Sequence, residues 1–543
     1  MPGLPGVGGR RGGRGVLPDL GAGGRGGRAG RVLSGRGKTM PMSSAALAQS
    51  ACCDLLVVGA GPAGVSAAIE AATRGARVLL VEQRPHAGGA IHRAAHDGGP
   101  CAAPMPARHK KNWAALQREL ARLADRIRVL TSAVFLGIDG DGVCMIDSRE
   151  AGAVKLARPR AVIFATGATE RAPHVPGWEL PGVVTAGGLQ VQLKESGQAP
   201  RGRILIAGNG PLPLALGAQL AAMGNAPVAV LEAAALFRNL WTRPGAVFGL
   251  AAGPRQLLEA AGYFRRLRAA QVPYRTATAV VAVSLGGVAG IAGEMGVAGA
   301  AGASDAANAA NAANAANAAG GAGALRVRTR DWRGRERDYE VDLLVLHGGL
   351  VANDRGIPAG DVHGIVIARA GDCNEVLGAD AALTEGRRVA AMVMSRLNGR
   401  PSHHGSATLD AGAPSSSATA GKPASADENA PQGAAATFQK SLRRLFAPAL
   451  ASMPPIDAHT VICRCEGVTR RALAEQDLHS ARELRLVGRV GMGLCQGRFC
   501  AHAASMAAPD EDGVLTLADI DGAIPRWPIR PVSVTALAGA EDL

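Results

Sequence analysis

The 543-residue sequence predicts an α/β protein with parallel sheets, closed off by a small helical module that carries four cysteines. Three observations carry that prediction. From about residue 51 to 400, apolar runs of β type alternate with Ala- and Leu-rich helical patterns, the order expected where helices cover a parallel sheet. Two of those apolar runs end in similar glycine turns, at Gly59 and at Gly208. Beyond a stretch rich in Ser, Ala, Pro and Gly, Cys463, Cys465, Cys495 and Cys500 fall close together.

Bulk properties bound the rest. The length allows about three or four domains, and 47% apolar residues with 74 Gly suit tight-turned α/β folds. The net charge of +15 is concentrated at the start: seven Arg and one Lys against Asp19 give residues 1–40 a charge of +7. With only 16 aromatics in the chain there is little material for base stacking, so nucleic-acid binding is not expected. No apolar run reaches 18 residues, which predicts no transmembrane helix. Residues 1–50 read as a disordered basic tail, or as sequence ahead of a start at Met40 or Met42. Nine cysteines without an export signal predict a reducing compartment and a metal site. A cytoplasmic location follows, with peripheral membrane contact left open.

The first turn is Asp54-Leu-Leu-Val-Val-Gly59-Ala60-Gly61-Pro62-Ala63-Gly64. Gly59 permits the tight turn, Gly61 lets backbone approach a pyrophosphate, and Gly64 lets the following helix pack closely. The helix N-terminus then turns unpaired N–H groups toward the phosphates. The strand Arg77–Glu82 follows, ending in a carboxylate placed to accept the adenosine ribose hydroxyls, with Gln83 next to it. Three features favour FAD over NAD at this turn: Gly88-Gly89, the buried strand ending in Thr166-Gly167, and the late strand ending in Gly371-Asp372. These residues resemble class II flavoprotein reductases. The resemblance implies that Asp372 binds the flavin ribityl chain; a helix N-cap is the plain alternative.

The second turn, Arg203-Ile-Leu-Ile-Ala-Gly208-Asn-Gly210-Pro-Leu-Pro213, precedes a helix over 214–223 and a strand ending at Glu232. The same resemblance implies two nested Rossmann-like dinucleotide-binding domains, the second carrying NAD(P) with Glu232 on the ribose. Pro213 stands where a third glycine is usual, and it offers no N–H to an anion. A bound nucleotide and a structural relic both stay open here. The expected boundaries are 51–170 with 341–400 for the FAD domain, and 171–340 for the insert with its Ala/Asn-repeat loop over 301–324. A flexible linker over 401–455, a cysteine module over 456–510 and a tail over 511–543 complete the chain.

Four thiolates in two close pairs hold either a [2Fe-2S] cluster or a structural zinc. Gly491-Met-Gly493 would bring backbone N–H groups to the sulfurs, and Arg464 and Arg498 would offset the charge. Val461-Ile-Cys463-Arg-Cys465-Glu-Gly-Val-Thr469 with Gly491-Met-Gly-Leu-Cys495-Gln-Gly-Arg-Phe-Cys500 resembles the bacterioferritin-associated-ferredoxin-like domain of heteromeric amino-acid dehydrogenases. In that group it sits on the larger flavoprotein component of opine oxidase and D-hydroxyproline dehydrogenase; the corresponding component of hydrogen cyanide synthase is related. Arg526-Trp-Pro-Ile-Arg530-Pro-Val resembles the same group's C-terminus. The resemblance implies FAD, a [2Fe-2S] cluster, and a smaller FAD-dependent partner similar to D-amino-acid oxidases that binds the imino- or amino-acid substrate. The chain would then be an electron-transfer subunit with no catalytic acid, base or nucleophile of its own. His347 and His363 flank strands, and His403-His404 lies in the linker. The alternatives are a stand-alone NAD(P)H-dependent flavoprotein reductase and a zinc-stabilised flavin-binding scaffold.

Overall fold

The computed structural model describes residues 53–286 except 102, 325–399, 430–449, 456–507 except 477, 479 and 494, then 509–510, 513–514 and 532–543. The basic tail, the Ala/Asn repeat, His403-His404 and Arg526–Pro531 lie outside the described residues.

Two five-stranded parallel sheets organise the chain, each with a glycine turn at its central strand. In the first, Leu55–Val58 lies between Val78–Val81 and Ala161–Phe164, with Ile127–Leu130 and Val366–Arg369 at the edges. Each residue of its three central strands is buried because both faces are covered. Alternation divides those residues between two cores. Leu55 and Val57 pack under the helices Pro62–Thr73 and Ala379–Leu397. Leu56 and Val58 pack against Phe135, Ile146 and Ile367 on the other face. That second face is covered by the antiparallel strands Ala133–Ile138, Cys144–Ser148 and Ala153–Ala157. Glu541–Asp542 adds to their edge, so the end of the predicted tail forms part of a sheet.

The second sheet repeats the plan around Ile204–Gly208. Ala229–Glu232 and Tyr274–Thr276 lie on one side, Leu343–His347 and Val183–Thr185 on the other. Its helix starts at Pro211, three residues before the predicted start, since proline fits the first helical position where no N–H is needed. Together the two sheets form the nested Rossmann-like architecture. One boundary is corrected: Leu343–His347 belongs to the second sheet, and the chain rejoins the first at Val366. Short buried apolar strands look alike in sequence, and only pairing assigns them. The chain leaves the first sheet through Ala168–Glu170 and returns through Leu350–Ala352, which pair antiparallel.

A second correction concerns the linker. Residues Ala430–Leu445 form a helix whose Phe438, Ser441 and Leu445 are buried at helical spacing. The Ala-, Gly- and Pro-rich surroundings hide that stripe in the sequence. The cysteine module joins the ribbon Val461–Cys463/Val468–Thr469 to short helices at Arg470–Ala474, Ala481–Leu486 and Ala501–Ala507. Its core gathers Ile462, Leu473, Leu484, Val490 and Ala504 around Cys463 and Cys500. No described helix is long and apolar enough to cross a membrane.

Candidate functional site

The first glycine turn is shaped by what side chains would collide with. Gly59 has φ +105°, and a Cβ there would meet the Ala165 carbonyl oxygen at 2.5 Å. A Cβ on Gly64 would overlap the Gly59 carbonyl and lie 3.2 Å from Ala165 Cβ, so its glycine lets the helix sit tightly on its own turn. Gly61 is different: its Cβ would meet only the Gly89 Cα, at 3.6 Å. Its glycine therefore leaves room for an incoming group and is not needed for packing. The loop after Val81 closes the other side, as Gly88 N donates to Ala60 O at 2.8 Å and Gly89, at φ +62°, leans on Gly61.

Glu82 is buried and accepts from the amides of Ala60, at 2.9 Å, and Arg84, at 3.0 Å. Its carboxylate is thus fixed beside the turn at the carboxyl edge of the sheet, where ligands of such folds bind. Gln83 is exposed next to it. Pro62 opens the helix and Ala63 is its second residue. A second helix start converges here, since a Cβ on Gly371 would meet Ala63 Cβ at 2.6 Å and Ala382 Cβ at 3.3 Å. The helices Pro62–Thr73 and Ala379–Leu397 therefore bring two positive dipole ends to one place. This cradle of bare backbone and helix ends fits the diphosphate of FAD.

Asp372 is not the helix N-cap, a place that Gly378 holds without a side-chain cap; its Oδ1 accepts from Leu377 N at 3.0 Å and Gly378 N at 2.9 Å and so braces the turn ahead of the helix. Burial raises its pKa. Behind it stands Glu385, which sequence reasoning does not single out. It is buried, accepts from Gly371 N at 3.1 Å and from Asn374 Nδ2 at 2.8 Å, and burial raises its pKa too. A glutamate inside a helix carries no local signal of such a role. Cys373 is buried against the Phe164 carbonyl at 3.0 Å, as a small core residue. Thr166 and Gly167 are locked to the returning chain. Thr166 Oγ1 donates to Asn353 O at 2.7 Å, Asn353 Nδ2 to Thr166 O at 3.2 Å, and Asn353 N to Gly167 O at 3.0 Å.

The cysteine module docks on this same turn. Arg498 Nε donates to Asn353 Oδ1 at 3.1 Å, and its Nη1 to Cys495 O at 3.1 Å. Arg355 donates to Gln496 O at 3.3 Å. On the other side Trp178 Nε1 donates to Val461 O at 2.7 Å, and Arg464 lies over the Trp178 ring at 5.8 Å.

The four thiols form one chain of contacts, Cys463 to Cys500, Cys500 to Cys495 and Cys495 to Cys465. Hydrogen bonding from Cys500 draws the Cys463 pKa down to about 6, and bonding from Cys465 and Cys500 draws Cys495 down to about 2. Cys465 and Cys500, as donors, are pushed up. Backbone groups of Gly491 and Glu466 also bond to Cys463. Gly493 is glycine because a Cβ would overlap Cys465 Cβ and lie 3.3 Å from its sulfur. Among the described residues no group of three or more His, Cys, Asp and Glu is placed to hold a metal ion; four thiols are the donor type of a structural zinc as well as of an iron–sulfur cluster.

At the second turn Glu232 is buried and accepts from Gly210 N at 3.0 Å and Ala234 N at 2.9 Å. Burial outweighs these bonds and pushes its pKa up to about 8. A Cβ on Gly208 would meet the His347 carbonyl carbon at 3.0 Å. Pro213 is buried inside the helix. His347 makes a buried pair with Glu170 at 2.5 Å, and Glu170 accepts from Ala186 N and Gly187 N. That cluster caps a helix and is structural, as is the exposed turn at His363.

Residues 53–242 match the pyridine nucleotide-disulphide oxidoreductase family. The A component of opine oxidase from Agrobacterium tumefaciens (strain Ach5) is 28% identical over 89% of this chain and 91% of its own. The HcnB component of hydrogen cyanide synthase from Pseudomonas aeruginosa is 29% identical over 89% and 97%. The alpha component of sarcosine oxidase from Corynebacterium sp. (strain P-1) is 34% identical over 33% of this chain and 19% of its own.

Proposed function

Starting from an FAD-dependent oxidoreductase homologous to the opine oxidase A component and HcnB, we propose that this chain is the electron-transfer subunit of a heteromeric dehydrogenase for imino or amino acids, of opine or D-hydroxyproline type. FAD lies at Gly59–Gly64, with Glu82 toward its ribose and Asp372 toward its ribityl chain. A [2Fe-2S] cluster is held by Cys463, Cys465, Cys495 and Cys500. A smaller partner, similar to D-amino-acid oxidases, binds the substrate.

The observation that carries this reading is the Arg498–Asn353 junction. It ties the loop between Cys495 and Cys500 to the turn Thr166-Gly167 through Asn353, which bonds to both. When bound, the two cofactors supply two-electron and one-electron chemistry respectively. The chain's own residues then position and insulate. Gly61 and Gly89 offer backbone to the diphosphate, Glu385 holds the Gly371 amide, and Arg498 fixes the cysteine loop at a set distance from Thr166. Substrate chemistry falls to the partner polypeptide.

The test is composition and spectrum. Purified protein should hold one FAD, two irons and two acid-labile sulfides per chain, as a two-iron centre requires (about two of each). Anaerobic mixing with NADH should leave the flavin oxidised, while the co-purified partner plus imino acid should bleach it. One equivalent of zinc without sulfide sinks the electron-relay reading; rapid bleaching by NADH alone supports the reductase instead.

A further inference from the structure

The two glycine turns share a design, and their surroundings differ. After Glu82 the chain is open: Gln83, Arg84, Pro85 and His86 are all exposed. After Glu232 it is closed: Ala233 is 8% exposed and Ala234 is fully buried. Part of what covers it is the segment that follows the helix Ala430–Leu445. Ala449 N donates to Ala233 O at 3.0 Å, and Pro448 bridges Ala234 antiparallel. At the turn itself, the Asn209 side-chain amide donates to Phe446 O. Asn239, buried, donates to Leu445 O at 2.8 Å and Ala447 O at 3.3 Å. The strap thus runs from the phosphate turn past the ribose carboxylate to the strand end beyond it, along the edge where the adenosine half of a dinucleotide lies in such folds.

We infer that the second glycine turn is the docking site of this chain's own segment Phe446–Ala449, and that a pyridine nucleotide does not bind there while the strap is seated. Two local features agree. Pro213 supplies no amide to an anion. Asn209, in the middle of the turn, commits its donor to a main-chain carbonyl. The strap competes with any nucleotide as an intramolecular ligand, so apparent affinity falls by the fraction of time the edge is bare. The inference concerns the second domain alone and does not depend on what the cysteines hold.

The test uses the full chain. Calorimetric titration of wild type with NAD+ and NADH should show no binding up to about 1 mM, and the Ala449 amide should exchange slowly. Asn239→Leu removes the donor that grips Leu445 and Ala447; it should speed exchange at Ala449 and tighten apparent NAD+ binding at least about tenfold. Ala234→Cys with Pro448→Cys sits on the bridged pair, whose antiparallel spacing of about 4.5–5.5 Å between Cα atoms suits a disulfide. The oxidised form should bind no nucleotide even with Asn239→Leu present, and reduction should restore that binding. Three results overturn the inference: wild type binding either nucleotide below about 100 μM, binding that persists in the oxidised form, or fast exchange at Ala449 in wild type.

Discussion

Gly386→Ala separates two effects of opposite sign. In a helix interior, Ala is favoured over Gly by about 1 kcal/mol, and Gly386 has no left-handed backbone to protect. Propensity alone therefore predicts stabilisation. The neighbours predict the reverse. A Cβ at Gly386 would overlap the Ala63 carbonyl oxygen, lie 2.9 Å from its carbon, and crowd Ser66 Oγ. Those atoms belong to the first turns of the helix Pro62–Thr73, and Ser66 is already bonded to Leu383 O at 2.9 Å. Normal contact distances of about 3.5–4.0 Å require the helices to separate by roughly 0.5–1 Å, which forfeits a quarter to a half of each dispersion contact along the seam. Overpacking of this kind costs about 1–3 kcal/mol, or more against backbone. Net destabilisation of up to about 2 kcal/mol follows, with weakened FAD retention because Gly371 and Ala63 move apart. Gly262→Ala is the control. It lies in the helix Pro254–Ala269 with nothing within 4 Å of a Cβ, and should stabilise by up to about 1 kcal/mol. Thermal unfolding monitored by flavin fluorescence reads both. If Gly386→Ala melts higher than wild type and keeps its flavin, the helix seam does not shape the cradle as argued.

Gly493→Ala should lower iron and sulfide content at least about twofold while leaving FAD content unchanged, since the new methyl overlaps Cys465; metal analysis checks it. Asn353→Ala should loosen the cysteine module by about 1.5–3 kcal/mol, the worth of hydrogen bonds to a charged partner, seen as faster proteolysis ahead of Val461 with intact iron content. Glu232 has a folded pKa raised to about 8 by burial. The folded state then holds a proton the unfolded chain releases near 4.5, so this contribution is full below that pH and lost as pH rises through about 8. Glu232→Gln should flatten that slope in denaturant unfolding from pH 5 to 8; an unchanged slope assigns it elsewhere.

Sequence alone exposes whatever is contiguous. The first turn, its helix and Glu82 span fewer than thirty residues, and periodicity with glycine spacing suffices to order them. The four cysteines likewise announce themselves by type. Glu385 and Asn353 do not, and Arg498 shows only as a charge near the cysteines, because their partners are set elsewhere in the fold: Asn353 meets Thr166 across 187 residues and Arg498 meets Asn353 across 145. Leu343–His347 shows another blind spot. An apolar five-residue strand says that it is buried, while register against Ile204–Gly208 says which sheet it completes. The strap is hardest of all, since Phe446–Ala449 binds mostly through main-chain atoms and any short uncharged segment could supply those.

A duplicated dinucleotide fold offers two carboxyl edges, and this chain treats them unequally. At the first, glycines keep backbone bare and the following residues stay in solvent, so the edge can take up a ligand. At the second, the same carboxylate-to-turn bonding pattern is retained, with Glu232 on Gly210 as Glu82 is on Ala60. The carboxylate therefore cannot by itself mark a working nucleotide site; its bond to the turn is part of how either fold holds its shape. What distinguishes the two edges is the covering segment. A nucleotide at the second edge would have to replace the pairing of Ala449 with Ala233 and the grip of Asn239 on two carbonyls before gaining any contact of its own. The cysteine loop, by contrast, already makes its contact beside the first turn, through Arg498 on Asn353.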